Sequence, residues 1–108
     1  MCTAISWYPD TGYFGRTLDY DRIYPFKPLM APRFYPHNFR CGDSPARSYA
    51  MLGMGITLDG EPLFFDAVNE KGVYAAGLLF EGNAVYRRPL AGMDNVPSFA
   101  LIPWLLSR

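Results

Sequence analysis

Apolar and polar residues along this chain fall into short β-like runs, punctuated at close intervals by turn residues. Residues 2–8, Cys-Thr-Ala-Ile-Ser-Trp-Tyr, are rich in β-formers and stop at Pro9, Asp10, Thr11 and Gly12, after which residues 13–18 resume the pattern. The two segments predict a β-hairpin with a Pro-Asp-x-Gly turn. Between residues 21 and 45 stand Pro25, Pro28, Pro32, Pro36 and Pro45. Proline blocks both helix continuation and central ladder pairing, so this stretch is expected to be a long aromatic-rich connection with one short strand near Leu29, Met30 and Ala31. A connection of that length usually shapes a binding site. Residues 49–58 predict a largely buried strand, Asp59 and Gly60 a turn, and residues 62–68 the returning strand. Asn69, Glu70, Lys71 and Gly72 form a second turn, Gly72 suiting a positive φ. Residues 73–80, apolar on both faces, predict a further strand and hence a sheet covered by a layer on each side. After a polar loop over 81–94, a helix is expected to open with Asn95 as its cap and Pro97 in its first turn, and to kink or restart at Pro103.

The 108 residues fit one domain, 1–108. Half of them are apolar and 17% aromatic, ample for a packed core and unlike a disordered segment. The chain stops just as its most apolar helix begins, so we expect it to be the amino-terminal portion of something longer. Ten acidic and ten basic residues cancel, which speaks against a nucleic-acid partner or an anionic membrane surface. No run is long enough to span a bilayer as a helix, and Met1, Cys2, Thr3, Ala4 and Ile5 carry no signal-peptide pattern, so a cytoplasmic protein with no membrane association is expected. There Cys2 and Cys41 should stay reduced. A single histidine, His37, rules out a multi-histidine metal site, and no metal or other cofactor is expected; His37 and Cys41 are read as structural.

Candidate chemistry starts at Cys2. An initiator methionine is removed efficiently when the next residue is small, and removal of Met1 would leave a thiol and a free α-amine on one residue. An α-amine ionises at about 8 and a thiol at about 8.5, so the amine can take the thiol proton directly or through water. Nucleophile and base then come from one residue, with no histidine needed. The plainer alternative is a small buried cysteine. Residues 14–21 lie on the strand paired with the first, where Arg16 could favour a thiolate and Asp19 could hold the amine; an Arg and an Asp this close in sequence also describe a solvated pair of little energetic weight.

Met-Cys-Thr at the start, Phe-Gly-Arg-Thr-Leu-Asp at 14–19, Leu-Gly-Met-Gly at 52–55 and Asn-Glu-Lys-Gly-Val at 69–73 stand in an order and spacing similar to the choloylglycine hydrolase family, which contains bile salt hydrolases and penicillin V acylases. The resemblance runs over essentially the whole chain. It implies an α+β fold, part of the four-layer αββα sandwich of N-terminal-nucleophile (Ntn) hydrolases, mainly antiparallel β with a helix at the carboxyl end. It also implies that Cys2 is the nucleophile, that Arg16 sits beside its thiol, that Asp19 holds the amine, and that Asn69 and Gly72 serve turn geometry. Where bile salt hydrolases have asparagine and penicillin V acylases tyrosine, this chain has Leu79; its backbone N–H remains available for the oxyanion, while substrate preference is opened to question. The family's further active-site asparagine and arginine fall beyond residue 108, so the 108-residue piece alone is expected to be inactive.

Leu18, Tyr20, Phe26 and Met30 are the expected substrate-binding residues, on the reading that the aromatic and methionine-rich connection, which also holds Tyr24, Phe34, Tyr35 and Phe39, lines an apolar pocket; core packing is an equally good use of it. The expected activity is hydrolysis of a linear, non-peptide amide through a thioester, with a conjugated bile salt or another N-acyl compound as small-molecule substrate and a homo-oligomer at full length. Two other classes remain: a non-catalytic ligand-binding domain on the same scaffold, and a fragment that self-associates to cover its apolar faces.

Overall fold

The computed structural model describes residues 1–39, 45 and 47–108. The predicted hairpin forms. Strands β1 (Thr3–Trp7) and β2 (Tyr13–Thr17) pair antiparallel, with Thr3 opposite Thr17 and Trp7 opposite Tyr13. The Trp7 and Tyr13 rings, 5.6 Å apart, close its turn end. At the open end the Thr3 N–H donates to the Thr17 hydroxyl at 3.0 Å, which ties down the strand that follows Cys2.

Four further strands, β3 (Lys27–Ala31), β4 (Met51–Leu58), β5 (Glu61–Asn69) and β6 (Tyr74–Ala76), make a second sheet in that order, antiparallel throughout. Both residues of the β4–β5 turn are left-handed, Asp59 at φ 52° and Gly60 at φ 83°. That geometry matches the right-handed twist of the strands and explains an Asp-Gly pair there. Asn69 organises the next turn from a buried position: its Oδ1 accepts the N–H groups of Lys71 and Val73, each at 3.0 Å, and its Nδ2 donates to the Leu106 carbonyl at 2.9 Å. One amide side chain thus closes the turn and fastens the end of the carboxyl-terminal helix.

That helix, α1 (Leu101–Leu106), continues from a 3₁₀ turn over Ser98–Ala100. Its Ile102 and Leu106 pack with Ala31, Met51, Phe64 and Ala67 of the sheet to form the core. Complete burial of a side chain such as Leu106 is worth roughly 2 kcal/mol. Strand alternation sends Asp66, Val68 and Tyr74 to the opposite face, where the hairpin lies: Phe14 stacks on Tyr74 at 5.3 Å, and the Tyr74 hydroxyl donates to the Gly12 carbonyl at 3.3 Å. The architecture is therefore mostly antiparallel β with one carboxyl-terminal helix, the four-stranded sheet lying between helix and hairpin.

Several expectations need correction. Strand β4 is half-buried rather than largely buried: Met51 and Gly55 face the core, and Leu52 is exposed because the described residues cover that part of the sheet on one face only. The strand expected over 73–80 shortens to β6. One more rung, Gly77 N–H to Phe65 C=O at 2.8 Å, ends the pairing, and Leu78, Leu79 and Phe80 continue outside the sheet, exposed. Asn95 does not cap the helix; its side chain bonds the Leu90 N–H at 2.8 Å and the Leu90 and Met93 carbonyls at 2.9 Å, bracing the loop instead. Pro103 produces no break where it stands. It is the third residue of α1, where backbone N–H groups have no intrahelical acceptor, and the restart falls earlier, at the change from 3₁₀ to α geometry. Cys41 lies outside the described residues, while His37 is buried between the rings of Tyr35 and Phe39.

Candidate active site

The start of β1 and the segment after β2 place the chain terminus beside Asp19. The terminal ammonium, here on Met1, donates to Asp19 Oδ2 and forms an ion pair with it. Cys2 is half-buried, and its Sγ lies 3.7 Å from the Asp19 carbonyl oxygen, within reach of a weak S–H donation. Thus Asp19 contacts the first residue through its carboxylate and the second through its backbone. The hydrogen bond, reinforced by Coulomb attraction, pushes the Met1 amine above its usual value and the Asp19 carboxyl below the usual carboxylate range.

The sign of the resulting pH dependence follows from linkage. A depressed carboxylate contributes above its unfolded pKa and loses that contribution as pH falls through the lower folded value. A raised amine contributes below its unfolded value and loses it as pH rises through the higher folded one. Tethering of the terminus should therefore be complete between about pH 4 and about pH 8 and fade on both sides. Hydrogen exchange at Thr3 and Ala4, compared between the Met1-bearing chain and its Asp19→Ala variant, should differ inside that window and converge outside it.

Arg16, on β2 opposite Ala4, extends into the interface with the four-stranded sheet. Its side chain is only 6% exposed; Nε lies 3.5 Å from Asp66 Oδ2, and Nη2 donates to the Gly77 carbonyl. The described polar contacts of Arg16 thus run to Asp66 and Gly77 rather than to the Cys2 sulfur. Asp66 was not singled out in the sequence. A signal was present: it is the one carboxylate inside the apolar run Leu63, Phe64, Phe65, Asp66, Ala67 and Val68, and a charge at such a position calls for a buried partner.

Beside Arg16 opens a cavity of about 510 Å³ lined by Phe14, Gly15, Arg16, Leu18, Phe26, Met54 and Asp66. Of the four expected substrate-binding residues, Leu18 and Phe26 line it. Tyr20 stands behind it in an aromatic cluster with Tyr24, Phe26 and Phe65, ring centroids 4.9–6.4 Å apart. Met30 lies instead on the open face of β3, 70% exposed. The proline-rich connection therefore divides, Tyr24 and Phe26 packing on the cavity side, Tyr35 and Phe39 around His37, and Phe34 standing exposed. Leu79, half exposed, lies two residues beyond the Gly77 carbonyl that Arg16 holds. Among the described residues no group of three His, Cys, Asp or Glu is placed to hold a metal ion.

Residues 2–108 match the family model described as linear amide C–N hydrolases, choloylglycine hydrolase family. The chain belongs to the choloylglycine hydrolase family. Among curated relatives it is 42% identical over 108 residues to a bile salt hydrolase/transferase of Lactiplantibacillus plantarum, covering 100% of this chain and 33% of the relative. It is 37% identical to a conjugated bile acid hydrolase of Lactobacillus gasseri, covering 97% of this chain and 34% of the relative. It is also 34% identical over 115 residues to a bile salt hydrolase/transferase of Clostridium perfringens, covering 99% and 34%. The chain thus spans about a third of the length of these choloylglycine hydrolase relatives. Among the described residues, no helix is long and apolar enough to cross a membrane.

Proposed function

We propose that the full-length protein hydrolyses a linear C–N amide bond in a small N-acyl compound, a conjugated bile salt foremost, with Cys2 as nucleophile once Met1 is removed. The observation that carries this reading is the meeting of the chain terminus, the Cys2 thiol and Asp19 at the open end of the first hairpin, in a member of a family of linear amide hydrolases. The relatives are hydrolases of bile salts or conjugated bile acids by name, which supports that substrate class.

Removal of Met1 transfers the α-amine to Cys2, one residue along, where Asp19 remains the adjacent anion. The amine accepts the thiol proton, and the thiolate attacks the amide carbonyl to give a tetrahedral oxyanion. The backbone N–H of Leu79 is the proposed donor to that oxygen. Collapse expels the amine, which takes up the proton, and leaves an acyl thioester on Cys2; water then releases the acid and regenerates the thiol. Helix, four-stranded sheet and hairpin would form part of a four-layer αββα Ntn sandwich, and the cavity lined by Leu18 and Phe26 would receive apolar acyl substituents.

Amino-terminal sequencing of the full-length protein, together with an amine-release assay, tests this reading. The expected result is an amino-terminal cysteine and liberation of amine from a conjugated bile salt, in preference to penicillin V and to N-acyl homoserine lactones. A retained methionine with no amine released from any of them would overturn it.

A further inference from the structure

Arg16 stands on the nucleophile-bearing hairpin, yet its guanidinium is spent on the neighbouring sheet. Two groups hold it: the Asp66 carboxylate as an ion pair, with Oδ2 3.5 Å from Nε, and the Gly77 carbonyl, which accepts a hydrogen bond from Nη2. A guanidinium buried to this degree cannot be left without a counter-charge, because its desolvation would cost several kcal/mol. Asp66, with its side chain 17% exposed, is the one carboxylate in ion-pair contact with it among the described residues.

Asp66 is itself fixed by the backbone. The β4–β5 register shifts between Met54 and Gly55, so that Met54 pairs with Asp66 but Gly55 with Phe64, and Phe65 is the extra residue of a β-bulge. Beside the bulge the Met54 N–H donates to Asp66 Oδ1 at 3.1 Å, leaving Oδ2 directed at Arg16. The carboxylate therefore bridges a β4 amide and the β2 arginine, and the arginine in turn reaches the carbonyl that opens residues 77–80. Nε and Nη1 are buried and have no hydrogen-bond partner among the described residues, so Asp66 holds the guanidinium by charge rather than by a hydrogen bond, beside the cavity that Arg16 lines.

We propose that Asp66 is a positioning residue for amide hydrolysis: acting through Arg16, it locks the hairpin that carries Cys2 in register with the segment that carries the Leu79 N–H. This inference rests on the proposed roles of Cys2 and Leu79. The nucleophile precedes β1 and the oxyanion donor follows β6, far apart along the chain. Their relative placement must therefore be set by cross-bracing side chains, and a misplacement of about 1 Å costs on the order of a hundredfold in rate. A purely structural carboxylate would also neutralise Arg16, but its loss would lower the folded fraction and the melting temperature rather than kcat per folded molecule.

The test is a double-mutant cycle in the full-length protein, with rates expressed per mole of folded protein, measured by near-UV circular dichroism on the same preparation. Asp66→Asn should lower kcat by about 30-fold while KM moves less than about threefold. In an Arg16→Ala background the same change should lower kcat by less than about twofold. Asp66→Glu keeps the charge but shifts its position, and should lower kcat by about fivefold with the melting temperature held, which covers the case in which Asp66→Asn folds poorly. An unchanged kcat in both single variants, or equal losses with and without Arg16, overturns the proposal. If the parent hydrolyses amides and loses that activity with Cys2 while the Asp66 variants match it, only the positioning role falls. If the parent hydrolyses none, or does so without Cys2, the underlying reading falls and takes the positioning role with it.

Discussion

Replacing Cys2 with serine in the full-length protein should reduce amide hydrolysis at least about a thousandfold while leaving the folded state in place. The size of the loss follows from acidity and nucleophilicity. An α-amine of pKa near about 8 is a competent base for a thiol, but a serine hydroxyl ionises many units higher and is a far weaker nucleophile without a stronger base. Among the described residues there is no such base at the terminus; the one histidine, His37, is buried between Tyr35 and Phe39, and burial lowers its pKa. The fold should survive because Cys2 precedes β1 and lies outside the core of Ala31, Met51, Phe64, Ala67, Ile102 and Leu106. Amine release and the urea midpoint should be measured on the same preparation. Full activity in the serine variant would remove Cys2 from the mechanism, and a collapsed midpoint would mean that its role is architectural.

The second large effect is on stability. Gly53→Ala should destabilise the fold by about 3 kcal/mol or more, against less than about 0.5 kcal/mol for Gly15→Ala. A Cβ at position 53 would fall 1.9 Å from the Asp66 carbonyl oxygen and 2.7 Å from Ala67 Cα, both backbone atoms of the paired strand. No rotamer change relieves such a contact; β4 and β5 must separate at the bulge that also positions Asp66. At Gly15 the added carbon meets only Ile5 Cγ1 at 3.7 Å, an ordinary contact. Urea unfolding of both variants gives the comparison directly. Equal midpoints would show that the two strands do not approach each other as closely as they do here.

These two cases divide what was readable along the chain from what was not. The hairpin of β1 and β2 and the Asp59-Gly60 and Asn69-to-Gly72 turns were legible because each depends on neighbours within a few residues: alternation, a left-handed pair, an Asx acceptor. The nearness of Asp19 to the start of the chain was legible too, since the hairpin brings residues near its open end together, and the Met1 amine meets that carboxylate. Arg16 was assigned to the thiol on strand pairing and on the family resemblance, and neither pointed to the partners it has across the interface. Local spacing places Arg16 on β2 but cannot say which sheet its side chain enters, and long-range packing carried it to Asp66 and Gly77.

The sequence by itself determined the strand-and-turn alphabet and the family resemblance, because these rest on side-chain chemistry and on backbone preferences of adjacent residues. Only the tertiary structure decided which faces are covered, how far β6 runs, where Asn95 bonds and which carboxylate neutralises the buried arginine. Each of those outcomes is set by contacts between elements far apart in the chain. The physical reason is that burial and pairing are properties of two surfaces meeting, and a single strand carries only one of them.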